Sequence, residues 1–528
     1  MAIAIGLDFG TTNSVVTYAD GSGKLKTYRG AGGSPLIPSA IYFKTKDDYV
    51  IGNAALNLSA KNSAAIILGF KTKLNKDDMP YLLTLDDGSK LKIVPRKVVQ
   101  LFLNKLLRQV QDYLFKKLKV DATIDRAVIT VPTKFTDAAN RAIKFAAAKA
   151  MQLDVQQVKL VYEPTAAAVA ALTDDDSESA RLLIYDFGGG TFDVSLMYRE
   201  NGVFKQIKTD GDPDCGGDLL TKILARNLLE WANDEYGTNF PWDDLDFDEK
   251  FNRISEDKYR ANKFAITREA NRAKIILSEE HETEAAFQFW TNDDDSNQYF
   301  VAVSRRDFEN MIRAKINHTA EITRRVVESA EAQALGGIDK IIIAGGSGQI
   351  PMIRAVLKSK LGSLPINQSG DVSTLISRGA AMLAKDIDTL EQVIAQKTTV
   401  QLGISSTDGM NYGKFQTIID EGLNLPCESS CDFRLMKDGQ RLLKLSYYER
   451  DLKNYPNASQ IDDDGITQVD ELEIELPLNL SKADTIVRVT FAVQKDSSLE
   501  LSAKVLRNDG QTVGEEKINV SRVSDDLF

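Results

Sequence analysis

Residues Ala2 to Ser14 read A-I-A-I-G-L-D-F-G-T-T-N-S, and residues Leu182 to Asp193 read L-L-I-Y-D-F-G-G-G-T-F-D. In both stretches a hydrophobic strand ends in Asp-Phe-Gly and runs into small residues and threonines. A third glycine-rich turn, I-I-I-A-G-G-S-G-Q-I-P, follows another buried-looking strand from Ile341 to Pro351. Glycine at a strand-to-turn junction tolerates positive φ and lets backbone N–H groups approach an anion with no Cβ in the way, so turns at Gly10, at Gly188, Gly189 and Gly190, and at Gly345 and Gly346 suit phosphate. The hydroxyls of Thr11, Thr12 and Thr191 add donors at the same rim. Asp8 and Asp186, with Asp193 nearby, repel phosphate at neutral pH but can hold a hydrated Mg²⁺ that keeps several of its waters. A single Asp-Phe-Gly is an ordinary strand-to-turn junction. Two copies plus a third glycine turn predict a phosphate and metal cleft where the loops of two similar lobes meet.

Other phosphate-binding designs are absent. There is no G-x-x-x-x-G-K-[ST] loop, and no G-x-G-x-x-G follows a strand, so neither a P-loop nor a dinucleotide fingerprint is indicated. The two histidines, His281 and His318, are not followed by Arg-Asp, so the kinase catalytic loop is missing despite the Asp-Phe-Gly triplets. At 528 residues, 43% hydrophobic and 27% charged, the chain is ordinary globular material for several domains. A net charge of -11 argues against nucleic acid or an anionic membrane as partner and favours protein or small molecule. Met1 to Asp8 lacks a basic n-region and reads as a strand, not a signal peptide, and no run reaches the roughly 18 apolar residues of a membrane helix. The three cysteines, Cys215, Cys427 and Cys431, fit a reducing cytoplasm, and the Cys427/Cys431 pair lacks neighbouring ligands for zinc.

Residues 1 to about 385 alternate strand-like and helix-like segments, the pattern of an α/β fold. Val99, Leu103, Leu106, Val110 and Tyr113 mark one face of a long helix. Val128 to Val131 reads as a short buried strand stopped by Pro132, followed by an Ala-rich helix capped by Thr136 and running to about Met151. A polar, helical-looking insertion spans about Leu228 to Ser304. Asp386 to Lys397 reads as a linker. From Val400 onward, period-two alternation at Leu443, Leu445 and Tyr447, at Val487, Val489, Phe491 and Val493, and at Leu499, Leu501, Ala503 and Val505 predicts strands of a β-sandwich-like module.

On these residues the chain resembles the heat shock protein 70 (DnaK-like) chaperone family over nearly its whole length. D-F-G-T-T-N-S at 8 to 14, A-V-I-T-V-P at 127 to 132, Y-E-P-T-A-A-A at 162 to 168, Y-D-F-G-G-G-T-F-D at 185 to 193, G-D-P-D-C-G-G-D at 211 to 218 and A-G-G-S-G-Q-I-P at 344 to 351 fall in family order. V-Q-L-G-I at 400 to 404, N-L-P at 424 to 426 and L-E-L-S-A-K at 499 to 504 resemble its substrate-binding β-domain. The resemblance implies an actin-like ATPase domain with ribonuclease H-like duplicated lobes over residues 1–385, a linker over 386–398, and a β-sandwich over 399–528 that binds exposed hydrophobic segments of unfolded or nascent polypeptides in the cytoplasm. It further implies J-domain and nucleotide-exchange co-chaperones as partners. No long amphipathic helix follows the β-module in the sequence, so a form without the family's helical lid is expected.

The same resemblance assigns roles. Lys71 would contact the γ-phosphate and order the attacking water, Glu163 would be the cleft glutamate, and Thr191 would lie beside the γ-phosphate. Asp8, Asp186 and Asp193 would surround Mg²⁺ and potassium ions. Gly10, Thr11, Thr12, Asn13, Gly188, Gly189, Gly190, Gly217, Asn271, Lys274, Ser278, Gly345, Gly346, Ser347 and Gln349 would hold ATP or ADP. Ile404, Phe433 and Leu443 would line the peptide cleft, with Thr407 and Met436 arching over it. The departures sit at the base end of the nucleotide and in the interdomain segment. Asn271 stands where the family commonly has Glu, Gln349 where it has a base-stacking Arg, and Ser373 where it has Asp, which predicts weaker adenosine binding. Asn140, with Arg141 beside it, replaces a signalling Arg, and the linker reads D-T-L-E-Q-V-I-A-Q, which predicts weakened coupling. Two other readings stay open at this point: a co-chaperone module that holds ATP structurally with little hydrolysis, and a small-molecule kinase of the actin-like fold.

Overall fold

In a computed structural model of the chain, the described residues run over 2–519, apart from 21, 60, 76–78, 119–122, 134, 136, 174–176, 244–253, 293, 368–370, 388–389, 396–397, 399, 409–410, 451–454, 464 and 495–498. The chain divides into two compact units, one formed by Met1–Thr130 and Ala146–Ile387, the other by Val131–Phe145 and Asp388–Phe528.

The first unit is built around two sheets with the same local plan. In one, Ala2–Phe9 pairs antiparallel with Asn13–Ala19 and parallel with Thr123–Val131, with Val158–Tyr162 beyond the latter. In the other, Ser179–Phe187 pairs antiparallel with Phe192–Glu200 and parallel with Lys340–Ala344, and Val203–Asp212 pairs with Phe192–Glu200. Each Asp-Phe-Gly therefore ends a central strand that turns directly into a hairpin. The central strands are apolar on both faces because both are covered: Ile3, Ile5, Leu7 and Phe9 are buried on one face of the first with Ala4 on the other, and Leu183, Tyr185 and Phe187 on one face of the second with Leu182 and Ile184 on the other.

Helices supply the covers. Pro95–Leu118 buries Val99, Leu103, Leu106 and Val110, the face marked by their spacing, and brings Phe102 within 6.0 Å of the Phe9 ring. Leu375–Lys385 and Glu163–Ala171 pack against each other backbone to backbone: a Cβ built on Gly379 would lie 1.8 Å from the Ala166 carbonyl oxygen. That approach is open only to glycine. The Ala-rich helix spans Asp137–Met151, while its expected cap, Thr136, lies outside the described residues.

One expectation is corrected. The stretch from Leu228 to Ser304 is not simply a polar helical insertion. After the helices Gly217–Tyr236 and Glu256–Glu279 it forms an antiparallel pair, Glu282–Trp290 with Ser296–Ser304. Ala285, Phe287 and Phe289 face inward with Tyr299, Val301 and Val303 into the same core as Leu228. Ala286, Phe300 and Ala302, set among the Glu, Gln and Asn residues of the solvent face, conceal this period-two pattern.

In the second unit, the segment read as a linker carries a helical turn at Leu390–Val393 and the short strand Ile394–Ala395. Beyond it lie two four-stranded antiparallel sheets, with strand orders Asn411–Ile419, Gln401–Asp408, Leu442–Arg450, Ile466–Glu475 and Cys427–Arg434, Thr485–Val493, Leu499–Arg507, Thr512–Asn519. The alternating residues of Leu442–Arg450, Thr485–Val493 and Leu499–Arg507 share one core drawn from both sheets, and Tyr447 meets Phe491 edge-on at 6.0 Å. Among the described residues, no helix is long and apolar enough to cross a membrane.

Gly379→Ala tests the close helix contact. The added methyl gains about 1 kcal/mol of helix propensity but must overpack Ala166, so a net loss of about 1–3 kcal/mol is expected in urea unfolding. A neutral or stabilising result would remove this contact as a constraint.

Candidate functional site

The strand ends of the first unit place their carboxylates together. Asp8 lies opposite Val15 in its hairpin, and Asp186 lies directly opposite Asp193 in the equivalent one. The Thr130 hydroxyl, from the neighbouring parallel strand, donates to Asp8 Oδ1 at 3.2 Å, and the Thr191 hydroxyl donates to Asp193 Oδ2 at 2.9 Å. Glu163 opens the helix after Val158–Tyr162, where Pro164 is preorganised for the first turn. Lys71 follows Phe70, whose ring is locked between Phe102 at 5.2 Å and Phe9 at 6.3 Å. That anchor sends the lysine inward. Its Nζ lies 2.6 Å from Glu163 Oε1, and the side chain is only 2% exposed. Lys71 is therefore buried and paired, not a solvated surface lysine.

This crowding perturbs the acids. Burial, then the nearby Glu163, push the Asp8 carboxyl up to about 7, while Lys71 and the Thr130 hydroxyl pull it down. Asp186 is raised well above the ordinary carboxylate range, first by burial and then by Glu163, Asp8 and Asp193, with Lys71 opposing. Four acids share the field of one lysine, which leaves the cleft short of positive charge. Yet no three His, Cys, Asp or Glu side chains among the described residues converge as a direct ligand cage. A cation that keeps its water shell and takes other ligands from phosphates fits such a set, as Mg²⁺ does.

The glycine turns converge beside these acids. The Gly188 carbonyl accepts from the Gly217 N–H at 3.0 Å and from the Ser347 hydroxyl at 2.9 Å, joining three of the expected loops at one atom. Gly217 has committed its N–H there, so its part in the site is to be small: a Cβ would lie 2.2 Å from Ser347 Oγ. Gly345 sits at φ 81° with Asp186 Oδ1 and the Phe187 carbonyl where a Cβ would be. The Gly10–Asn13 turn is tied down by Ser39, whose hydroxyl donates to the Gly10 carbonyl at 2.7 Å and whose N–H donates to the Thr12 carbonyl at 2.8 Å. Thr11, Gly190 and Gly346 line the same turns, and Gly346 is exposed.

At the expected base end, Lys274 and Ser278 lie on the Glu256–Glu279 helix with Asn271. Lys274 is buried, and its Nζ donates to the Gly217 carbonyl and to Thr221 Oγ1, each at 2.8 Å. Burial pushes its pKa down to about 8, with Asp218 opposing. Ser278 donates to the Lys274 carbonyl at 3.1 Å, and Asn271 Oδ1 accepts from Thr221 at 3.4 Å. Gln349 is exposed, and Ser373 is buried and turned to Asp371. Three residues that sequence reasoning left out belong to this constellation: Thr130, Asp218 and Thr221. Asp218 had a signal, since it closes the quoted G-D-P-D-C-G-G-D stretch. Thr130 likewise lies in the quoted A-V-I-T-V-P stretch, whereas Thr221 had no signal, because only folding brings it to its partners.

The five residues expected to hold peptide lie in the second unit. Ile404 and Leu443 are buried members of its core, and Phe433 is half-buried against it. Met436 is 65% exposed. The Thr407 side chain lies outside the described residues.

Comparison with known proteins gives concordant matches. The Hsp70 protein family model matches residues 4–526. The chain is 28% identical over 516 residues to "Chaperone protein DnaK" of Thermosipho africanus, covering 95% of this chain and 78% of that one. It is also 28% identical over 456 residues to "Chaperone protein DnaK" of Thermotoga neapolitana, covering 84% of this chain and 70% of that one.

The raised Asp8 carboxyl carries a sign that can be measured. Its folded pKa of about 7 exceeds the ordinary 3.8, so the stability it contributes is present at low pH and is lost as the pH climbs through about 7. In chelator, Asp8→Asn should therefore flatten the decline in stability between pH 5 and 8. The variant should exceed the parent at pH 8 by on the order of a few kcal/mol in urea unfolding. Identical pH slopes for both proteins would refute the assignment.

Proposed function

From the premise that the chain belongs to the Hsp70 protein family, we propose that its first unit is an actin-like ATPase of duplicated, ribonuclease H-like lobes whose turnover governs peptide capture by a C-terminal β-sandwich. The protein is an ATP-dependent chaperone and hydrolyses ATP to ADP and phosphate. In this reading the ATPase occupies residues 1–385, the linker 386–398 and the peptide-binding domain 399–528. The observation that carries the catalytic assignment is the buried Lys71–Glu163 pair, 2.6 Å apart, beside the acids Asp8 and Asp186.

Phosphoryl transfer to water needs positioning and charge neutralisation more than covalent chemistry. Lys71 presents a fixed ammonium to the γ-phosphate and the attacking water, and Glu163 keeps that ammonium from turning away. Thr191, held by Asp193, sets its hydroxyl beside the same phosphoryl group. The turns at Gly10–Asn13, Gly188–Gly190 and Gly345–Ser347 enclose the phosphates, and Asn271, Lys274, Ser278 and Gln349 border the nucleoside. Asp8, Asp186 and Asp193 would hold Mg²⁺ and potassium ions, which would supply neutralisation of the phosphate charge. Gln349 is exposed and cannot stack as a guanidinium does, which supports weak adenosine binding.

In the β-sandwich, an extended segment of an unfolded or nascent polypeptide is held by backbone hydrogen bonds, with an apolar side chain near Phe433 and Met436. Ile404 and Leu443 back that surface from the core, and Thr407 lies on the Gln401–Asp408 strand. J-domain and nucleotide-exchange co-chaperones in the cytoplasm complete the cycle.

Single-turnover ATP hydrolysis by the parent, Lys71→Ala and Thr191→Ala, with and without an unfolded peptide, tests the assignment. Lys71→Ala should slow the step roughly 100-fold or more, and peptide should accelerate the parent. Equal, negligible turnover in all three would favour the reading in which ATP is held structurally. Separately, Met436→Glu should weaken binding of a labelled apolar peptide roughly tenfold by anisotropy, as expected when a charge meets an apolar side chain, without changing basal hydrolysis. Unchanged affinity would remove Met436 from the peptide site.

A further inference from the structure

Asp218 has no place in the reading above, yet it touches both phosphate turns. It begins the Gly217–Tyr236 helix, and its main-chain N–H donates to the Gly189 carbonyl at 2.7 Å. Its carboxylate accepts from the Thr12 hydroxyl at 3.0 Å and 3.2 Å, one distance to each oxygen. Thr12 belongs to the other sheet, 206 positions away in the chain. The two turns are in direct contact: a Cβ on Gly189 would lie 1.8 Å from Thr12 Oγ1. An acid in the first turn of a helix is ordinarily explained by the helix dipole. That explanation does not account for a carboxylate turned across to the opposite sheet, nor for the buried Lys274 that opposes it.

We infer that Asp218 is a positioning residue that latches the Gly10–Asn13 turn to the Gly188–Gly190 turn through Thr12, and so sets the spacing of the two loops between which the phosphates are held. The inference rests on the ATPase reading for its kinetic consequence, though not for the contact itself. Asp218 gains its orientation from three sides. Its N–H is fixed by Gly189, its charge is opposed by Lys274 and, more weakly, by Lys222, and its oxygens receive Thr12. Lys274 is held in turn by the Gly217 carbonyl and Thr221. Small errors in the spacing of such loops cost rate more than affinity, because the reacting phosphoryl group must be in line with the attacking water.

The test uses the full chain with Asp218→Asn, Asp218→Glu, Thr12→Val and the double variant Asp218→Asn/Thr12→Val. Single-turnover hydrolysis should slow roughly tenfold in Asp218→Asn, the cost of weakening a charge-assisted hydrogen bond. The Kd for fluorescent ADP should move much less. Asp218→Glu should recover most of the rate. Asp218→Asn should cost nothing further once residue 12 is Val, because the bond it weakens is already gone. Hydrogen exchange should quicken together at residues 10–13 and 188–191 in Asp218→Asn. Parental exchange at both turns, or rate losses that multiply in the double variant, would overturn the latch. If the parent itself hydrolyses no ATP, the ATPase reading fails alone and hydrogen exchange still decides the latch.

Discussion

The structure is organised by a repulsion that it does not itself neutralise. Asp8, Asp186, Asp193 and Glu163 are drawn into one cleft by strands and a helix whose other residues are apolar, and Lys71 is the cation set among them. Burial and mutual repulsion both favour the uncharged acids, and both are relieved when a cation and its ligands enter. A cation bound there would therefore also stabilise the fold, by compensating charge that the fold holds in place.

Several features of the first unit are consequences of that requirement. A carboxylate can be held against other acids only if its strand cannot move, and both central strands are clamped between covered faces. Phe9, Phe70 and Phe102 do this for Asp8 and Lys71 together, since one aromatic group supports the strand and aims the lysine. The Gly379 contact does it for Glu163 by fixing the helix that begins there. Gly345 and Gly217 are small for a related reason: the turns they belong to must close to within hydrogen-bond reach of Gly188 and Asp186.

Much of this was legible in order but not in depth. The paired Asp-Phe-Gly strands, the long amphipathic helix and the alternating strands after Val400 follow from periodicity and turn chemistry, which act over a few residues. The hairpin Glu282–Ser304 did not stand out because Ala286, Phe300 and Ala302 on its outward face blur the period-two alternation of its inward residues. The role of Lys71 came from the family resemblance alone, since nothing adjacent to it in sequence reports that Phe70 turns it inward. Asp218 was assigned no role from sequence, because its partner Thr12 is 206 positions distant. In the second unit, period-two alternation identifies inward-facing residues without saying whether they face a core or a ligand, and Ile404 and Leu443 prove to be core members.

Apart from the hairpin Glu282–Ser304, the sequence by itself determined the main elements and the family, because periodicity and the glycine, aspartate and threonine at strand ends act over a few residues wherever the chain puts them. Tertiary structure alone decided which charges meet. The Lys71–Glu163 pair, the crowding of Asp8 against Asp186, and the Thr12–Asp218 bond join positions far apart in the chain, and their energies depend on distance and burial that no local pattern encodes.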